Sequence, residues 1–219
     1  MSLLRIDASI QGDRSASSAL AAIVVGEVVA ARPRQPIATR HLGVRPLPSD
    51  AWQTAVMAQF VDPAEHTDDQ RAGLALARSL AAELSDADAA VLALPLYNWG
   101  VSQHVKTWID LAVAGATPGT RLLDGTPVVL LTTRGGSYAP GTPKEGWDHS
   151  IDYLRRILAD VWGADLTVVE RELTLVGVNP ALDQFADLAA AAKQRAETAA
   201  ALAGRGLAAR LDTRAAAAA

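Results

Sequence analysis

Three stretches of the chain hold polar and aromatic residues at spacings that suit chemistry. The first is Ser9, Ser15, Ser17 and Ser18, a serine-rich loop just ahead of a helical pattern. Hydroxyls and the free amides of a helix N-terminus together bind phosphate, with no lysine needed. The same residue types also cap helices, so the loop alone leaves both readings open. The second is Pro95-Leu96-Tyr97-Asn98-Trp99, where two flat rings bracket an amide that both donates and accepts. A planar heterocycle needs stacking area and hydrogen bonds at its edge, although such aromatics also serve as core or dimer contacts.

The third stretch is Thr133-Arg134-Gly135-Gly136-Ser137, followed by Tyr138. Two glycines let backbone amides come close to a ligand, and arginine is always charged. Such donors suit the pyrimidine edge of a flavin, where negative charge develops on reduction. A flexible turn and a solvated ion-pair residue are the plainer alternatives. Beyond it, Tyr138 and His149 are candidate proton donors, since imidazole titrates near neutrality and a well-placed phenol can donate. His149 equally suits the flank of the next helix, for which Asp148 is the better cap.

The elements that must position these loops follow a regular rhythm. Ala89–Leu94 is an uncharged apolar run that Pro95 ends, as expected of a central parallel strand covered on both faces. Thr126–Thr132 has the same character, and Leu3–Ala8, Ile37–Leu42 and Leu166–Glu170 complete five strands, the last extended by Leu173–Leu175. Helical spacing predicts helices over 17–31, 51–60, one after a Thr67/Gln70 capping box, then 101–114, 149–162 and 181–203. This alternation predicts an α/β three-layer sandwich with a five-stranded parallel sheet. Between the dinucleotide-binding strand order and the flavodoxin-like order 2-1-3-4-5, the first loop discriminates: serines stand where Gly-x-Gly-x-x-Gly is required. All three polar loops then leave the carboxyl ends of strands, where a single site forms.

The chain has 219 residues, half of them hydrophobic, and the steady alternation without repeats predicts one domain over 1–213. Arg214–Ala219, ending in five alanines, reads as a disordered or added tail. A formal charge of −4 argues against general nucleic-acid binding. With no cysteine there is no thiolate metal site or nucleophile, no metal is expected, and redox chemistry would need a cofactor. The lack of a long apolar run or leader pattern leads to an expectation of a cytoplasmic protein that does not enter membranes.

Ser9–Ser17, Pro95–Trp99, Val105-Lys106-Thr107-Trp108-Ile109-Asp110 and Thr133–Gly136 resemble, in order and spacing, the blocks of the FMN-dependent NADH-azoreductases, also called NADH:quinone oxidoreductases. The resemblance implies a flavodoxin-like fold, non-covalent FMN, NADH or NADPH as hydride donor, and a homodimer with sites at the interface. It assigns Ser9, Ser15, Ala16 and Ser17 to the FMN phosphate. Pro95, Leu96, Tyr97, Asn98 and Trp99 fall to the isoalloxazine and ribityl chain, and Thr133, Arg134, Gly135, Gly136 and Ser137 to its other edge. Lys106, Trp108 and Asp110 are placed on a helix that such proteins use in dimerisation, although Lys106 and Asp110 also have the spacing of a surface ion pair. The short Thr117–Thr120 turn and the segment 138–150, with Trp147, depart from the pattern. The expected activity is ping-pong transfer from NAD(P)H through FMN to a quinone, azo compound or other electron-poor small aromatic. An electron carrier or regulator on the same fold is the alternative, as is a tailoring reductase acting on a polycyclic aromatic.

Overall fold

The computed structural model describes residues 2–217. Five parallel strands, β1 (Leu3–Asp7), β2 (Ile37–His41), β3 (Ala89–Ala93), β4 (Pro127–Thr133) and β5 (Asp165–Arg171), lie in the order β2-β1-β3-β4-β5. The expected flavodoxin-like architecture is therefore present. Every residue of β3 and β4 is buried, which accounts for their uncharged sequences. β2, at one edge, exposes most of its length and carries Thr39 and Arg40.

Alternate strand residues feed two cores. On one face Ala90, Leu92 and Leu130 pack beneath α2 (Ala51–Ala58), α3 (Asp68–Ser85), α4 (Gln103–Gly115) and α5 (Ile151–Arg155, widening into a π-helical stretch Arg156–Val161). On the other, Val91, Val129 and Leu131 pack against α1 (Ala16–Ala31) and α6 (Ala186–Ala217). Thr67 and Gln70 form the predicted capping box of α3.

Four local features differ from the sequence reading. α4 starts at Gln103 under a Ser102 cap, because the preceding turn holds Asn98 and Trp99 at positive φ. Leu173–Leu175 does not extend β5: Leu173 adopts φ 60°, and the segment folds back to donate amides to Gly136, Arg134 and Gly135. α6 runs well past residue 203, through Arg214–Ala217 of the expected tail; Ala218 and Ala219 lie outside the described residues. Its buried face is Ala192, Ala196, Ala200, Gly204, Leu207, Ala208 and Leu211, whereas Leu182, Phe185 and Leu188 are not in the core. Finally, Trp108 is fully buried, edge-on to Trp162 with centroids 5.6 Å apart, so it belongs to the core and not to an exposed seam.

Candidate functional site

β1, β3 and β4 end side by side, and hydrogen bonds knit the loops that leave them. From β1, Asp7 is completely buried and takes two bonds from Arg5, at 2.6 and 3.2 Å. Arg5 also donates to the Ser18 carbonyl at 3.3 Å, which ties the strand end to the first turn of α1. Ser15 caps α1 by accepting from the Ser18 amide at 3.1 Å, and its Oγ lies 3.1 Å from Ser17 Oγ. The first amides of α1, at Ala16 and Ser17, have no partner within the helix. Ser9, Ser15 and Ser17 are all buried, and Ser18 Oγ is buried without a hydrogen-bond partner.

Tyr97 joins the first loop to the second. Its hydroxyl accepts from the Ile10 amide at 3.2 Å and lies 3.3 Å from Ser9 Oγ. β3 ends at Ala93, ahead of Pro95, as its missing amide suggests, yet backbone contact with β4 continues past the strand. Leu94 and Leu96 donate to Leu131 and Thr133, so the proline falls at the alternate position, where β4 needs no donor. Tyr97 and Gly100 then exchange amide–carbonyl bonds around Asn98 (φ 46°) and Trp99 (φ 64°), the two-residue turn with both central residues left-handed. The Trp99 carbonyl accepts from the His149 amide at 2.9 Å, and its ring meets that of Trp147 edge-on at 6.2 Å; both indoles are about half exposed.

The third loop differs most from its sequence reading. Arg134 is buried and its guanidinium is committed inward: Nε to Asp148 at 2.5 Å, Nη1 to Glu170 at 2.5 Å and, more loosely, to Glu172 at 3.6 Å. Burial opposes its charge, but Asp148 and Glu170 outweigh that cost and hold its pKa above the ordinary value. Asp148 also accepts from the Ser150 and Ile151 amides, so it satisfies the first amides of α5 from two residues ahead of the N-cap position, Ser150. Gly135 lies against Leu175; a Cβ there would come within 2.6 Å of the Leu175 side chain.

The two proton-donor candidates stand apart from each other. The Tyr138 ring has the Arg134 guanidinium and the Lys144 ammonium over it, 5.9 and 5.6 Å from its centroid. Burial first, then Asp148, raises its pKa, so the phenol stays protonated at neutral pH. It lines a cavity whose walls include none of Ser9, Tyr97, Asn98 or Trp99. His149 is exposed and meets the second loop through its backbone. Lys106 and Asp110 pair on the surface of α4 at 2.5 Å. Among the described residues no cluster of acidic or histidine side chains suits a metal, and no helix is long and apolar enough to cross a membrane.

Sequence reasoning missed Arg5–Asp7 and Glu170/Glu172. Arg5 and Asp7 are an i, i+2 pair on β1, and Glu170 and Glu172 have the same spacing across the end of β5, a pattern that puts alternate residues on one face and was available as a signal.

The chain matches a family model described as flavodoxin-like fold over residues 1–200. It is 39% identical over 191 residues to the FMN-dependent NADH:quinone oxidoreductase of Frankia alni, covering 85% of this chain and 90% of that protein. It is 37% identical over 200 residues to the protein of that name from Streptomyces avermitilis, covering 89% and 91%. Its fold matches an FMN-dependent NADH-azoreductase from Bacillus anthracis str. Ames Ancestor, solved in complex with FMN, with a TM-score of 0.72 at 19% identity over 93% of this chain and 100% of that one. By fold and by sequence, the chain belongs to the flavodoxin-like family that includes the FMN-dependent NADH:quinone oxidoreductases.

Proposed function

We propose that the chain is an FMN-dependent oxidoreductase that takes hydride from NADH and delivers two electrons to a quinone or another electron-poor aromatic. The observation that carries this reading is the knitting of three loops at adjacent strand ends, with Tyr97 bonded to the serine loop and Leu96 to Thr133. FMN, when bound, supplies the two-electron chemistry.

The residues present fit that group. Ser15 and Ser17 hydroxyls and the Ala16 and Ser17 amides form a buried cradle for a dianionic phosphate, favoured by the positive end of α1. The unpartnered Ser18 Oγ beside them is a further donor. Pro95–Trp99 supplies flat surface and the Asn98 amide. Thr133, Gly135, Gly136 and Ser137 offer backbone to the opposite edge; Arg134 acts there only by fixing the loop, because its guanidinium is already paired. Reduction of a quinone takes two electrons and two protons, one arriving with the hydride and one from water or an acid at the mouth. Exposed His149, whose amide bonds to the Trp99 carbonyl, is the better candidate for that acid, since Tyr138 lines a cavity that none of Ser9, Tyr97, Asn98 or Trp99 borders. Donor and acceptor use the site in turn, in a ping-pong sequence.

A homodimer is part of the proposal. Trp52 and Val113 are about half exposed and, with Tyr153 and Ile157, border a groove of about 740 Å³ across α2, α4 and α5. Phe60, at the end of α2, is 80% exposed. These exposed apolar side chains are the surface to which this proposal assigns the second copy.

The test is to add FMN to purified protein, record the visible spectrum, then add NADH without air and finally a quinone. Tight binding, loss of the visible flavin band with NADH and its return with quinone are expected. Failure to bind FMN overturns the proposal; binding without reduction by NADH or NADPH would mark an electron carrier or regulator.

A further inference from the structure

A cavity of about 1050 Å³ opens beside the knitted loops, bounded by the 138–148 segment, the end of β5 and the start of α6. It shares Arg134, Gly136 and Ser137 with the third loop. Its apolar wall is Ile151, Leu173, Leu182, Phe185, Leu188 and Ala192. At this end of α6 the usual arrangement is inverted: Ala192 and Ala196 are buried, while Phe185 and Leu188 are 36% and 61% exposed. Folding thus leaves large side chains facing an open concavity, the form of a small-molecule site.

The charges in the lining are sorted. Asp148 and Glu170 pair with Arg134, and Glu172 accepts from Ser137 Oγ at 2.7 Å and the Tyr138 amide at 2.8 Å. Lys144 and Arg195, by contrast, enter no ion pair among the described residues. Lys144 Nζ stands over the Tyr138 ring, 3.7 Å from where a Cβ on Gly136 would lie. The acceptors are engaged, and the two uncommitted charges are positive.

We infer that this cavity binds an amphipathic anion, an apolar body bearing one carboxylate, with the body on Phe185, Leu182 and Leu188 and the carboxylate on Lys144 and Arg195. The body is either a fused aromatic ring or an acyl chain. The inference goes beyond the FMN reading: the cavity shares Arg134, Gly136 and Ser137 with the third loop, but its apolar wall and its two cations lie outside the residues given to FMN, and none of Ser9, Ser15, Tyr97 or Asn98 lines it.

The 219-residue chain, loaded with FMN, is titrated calorimetrically with 1-naphthoate, with dodecanoate kept below its micellar range, and with the neutral 1-naphthalenemethanol. One acid should bind saturably at one site per chain with a Kd on the order of 0.1 mM, the range that about a dozen apolar atoms support. Which acid binds tighter separates ring from chain. The alcohol should bind about tenfold more weakly, as expected for loss of a charge-assisted contact. The K144A/R195A double variant and, separately, Leu188→Asp should each weaken the acid about tenfold. Leu188 is exposed, so that variant folds; FMN absorbance of each sample reports an intact flavin site. The inference is overturned if neither acid saturates, if the alcohol binds as tightly as the acids, if either variant binds the acid like the parent, or if excess FMN displaces it. A protein that took no FMN yet bound the acid would overturn the function above and leave this inference standing.

Discussion

Asn98 and Trp99 sit where an L-residue pays for its backbone, at φ 46° and 64°. The left-handed region costs most residues about 1–2 kcal/mol, asparagine less because its side chain bonds locally. A tryptophan there is held by its surroundings: the Tyr97–Gly100 bonds on one side and the His149 amide on its carbonyl. Strain kept at the tip of a strand-end loop fits a binding role for the side chains it presents. Asn98→Gly is the discriminating substitution, because glycine accepts the turn and deletes only the amide. FMN affinity should fall about tenfold, the worth of one or two hydrogen bonds, with the melting temperature unchanged or raised. Unchanged affinity by fluorescence titration would make Asn98 a turn-former and nothing more. Tyr97→Phe removes the hydroxyl that holds the Ile10 amide and meets Ser9, and should cost about 1 kcal/mol of stability together with several-fold weaker FMN binding. Tyr138 sets a pH limit. Its raised pKa means that folding favours the protonated phenol, so its contribution is complete below the ordinary phenol value near 10 and is lost as pH rises through the higher folded value. Tyr138→Phe should flatten the alkaline fall in stability measured by urea melts between about pH 9 and 11.

At the scale of elements, Arg134 is the junction where β4, the start of α5 and β5 meet. Arg134→Gln leaves Asp148 and Glu170 facing each other without a cation. Removing one partner from a buried pair costs about 3–5 kcal/mol, and urea unfolding should show a loss of that order. A loss under about 1 kcal/mol would mean that the pair is solvated like a surface bridge. The residue types of this junction were readable in the chain, and Asp148 as an acceptor for the first amides of α5 followed from its place before a helical pattern. The commitment of Arg134 was not readable, because it depends on β5 folding in beside β4 and on which face Glu170 presents. The length of α6 was hidden for a similar reason. Gly204 and Gly206 look like a helix end, yet a Cβ on Gly204 would lie 2.7 Å from the Val24 carbonyl and 2.8 Å from Glu27 Cβ. The glycine is there so that α1 and α6 can cross closely. Gly204→Leu should therefore cost about 1–3 kcal/mol by overpacking, lowering the melting temperature by roughly 2–4 °C per kcal/mol, whereas Gly206→Ala, where a Cβ meets nothing within 4 Å, should be neutral or stabilising.

Across the whole molecule, the strand order was legible because burial writes itself into composition. β3 and β4 lack charge because both their faces are covered, and the serine loop after β1 separates this order from a dinucleotide fold. What joins one molecule to another is less legible. Trp108 has the residue type of an interface anchor, but edge contact with Trp162 holds it in the core. Apolar surface remains instead at Trp52 and Val113, around the groove between α2, α4 and α5, and at Phe60 just past the end of α2. Gln59 ties α2 to α4 through the Ala114 carbonyl at 3.0 Å, so this surface is held in shape within one chain. If a second copy covers it, light scattering should give about twice the 22.9 kDa chain mass at micromolar concentration. Val113→Arg should then yield a monomer with intact secondary structure, because Val113 is about half exposed and contributes little to the core. The same variant addresses where the sites lie. Interfacial sites require the monomer to lose quinone turnover at least tenfold while its circular dichroism stays native; a fully active monomer would show that each chain holds a complete site, with dimerisation serving stability alone.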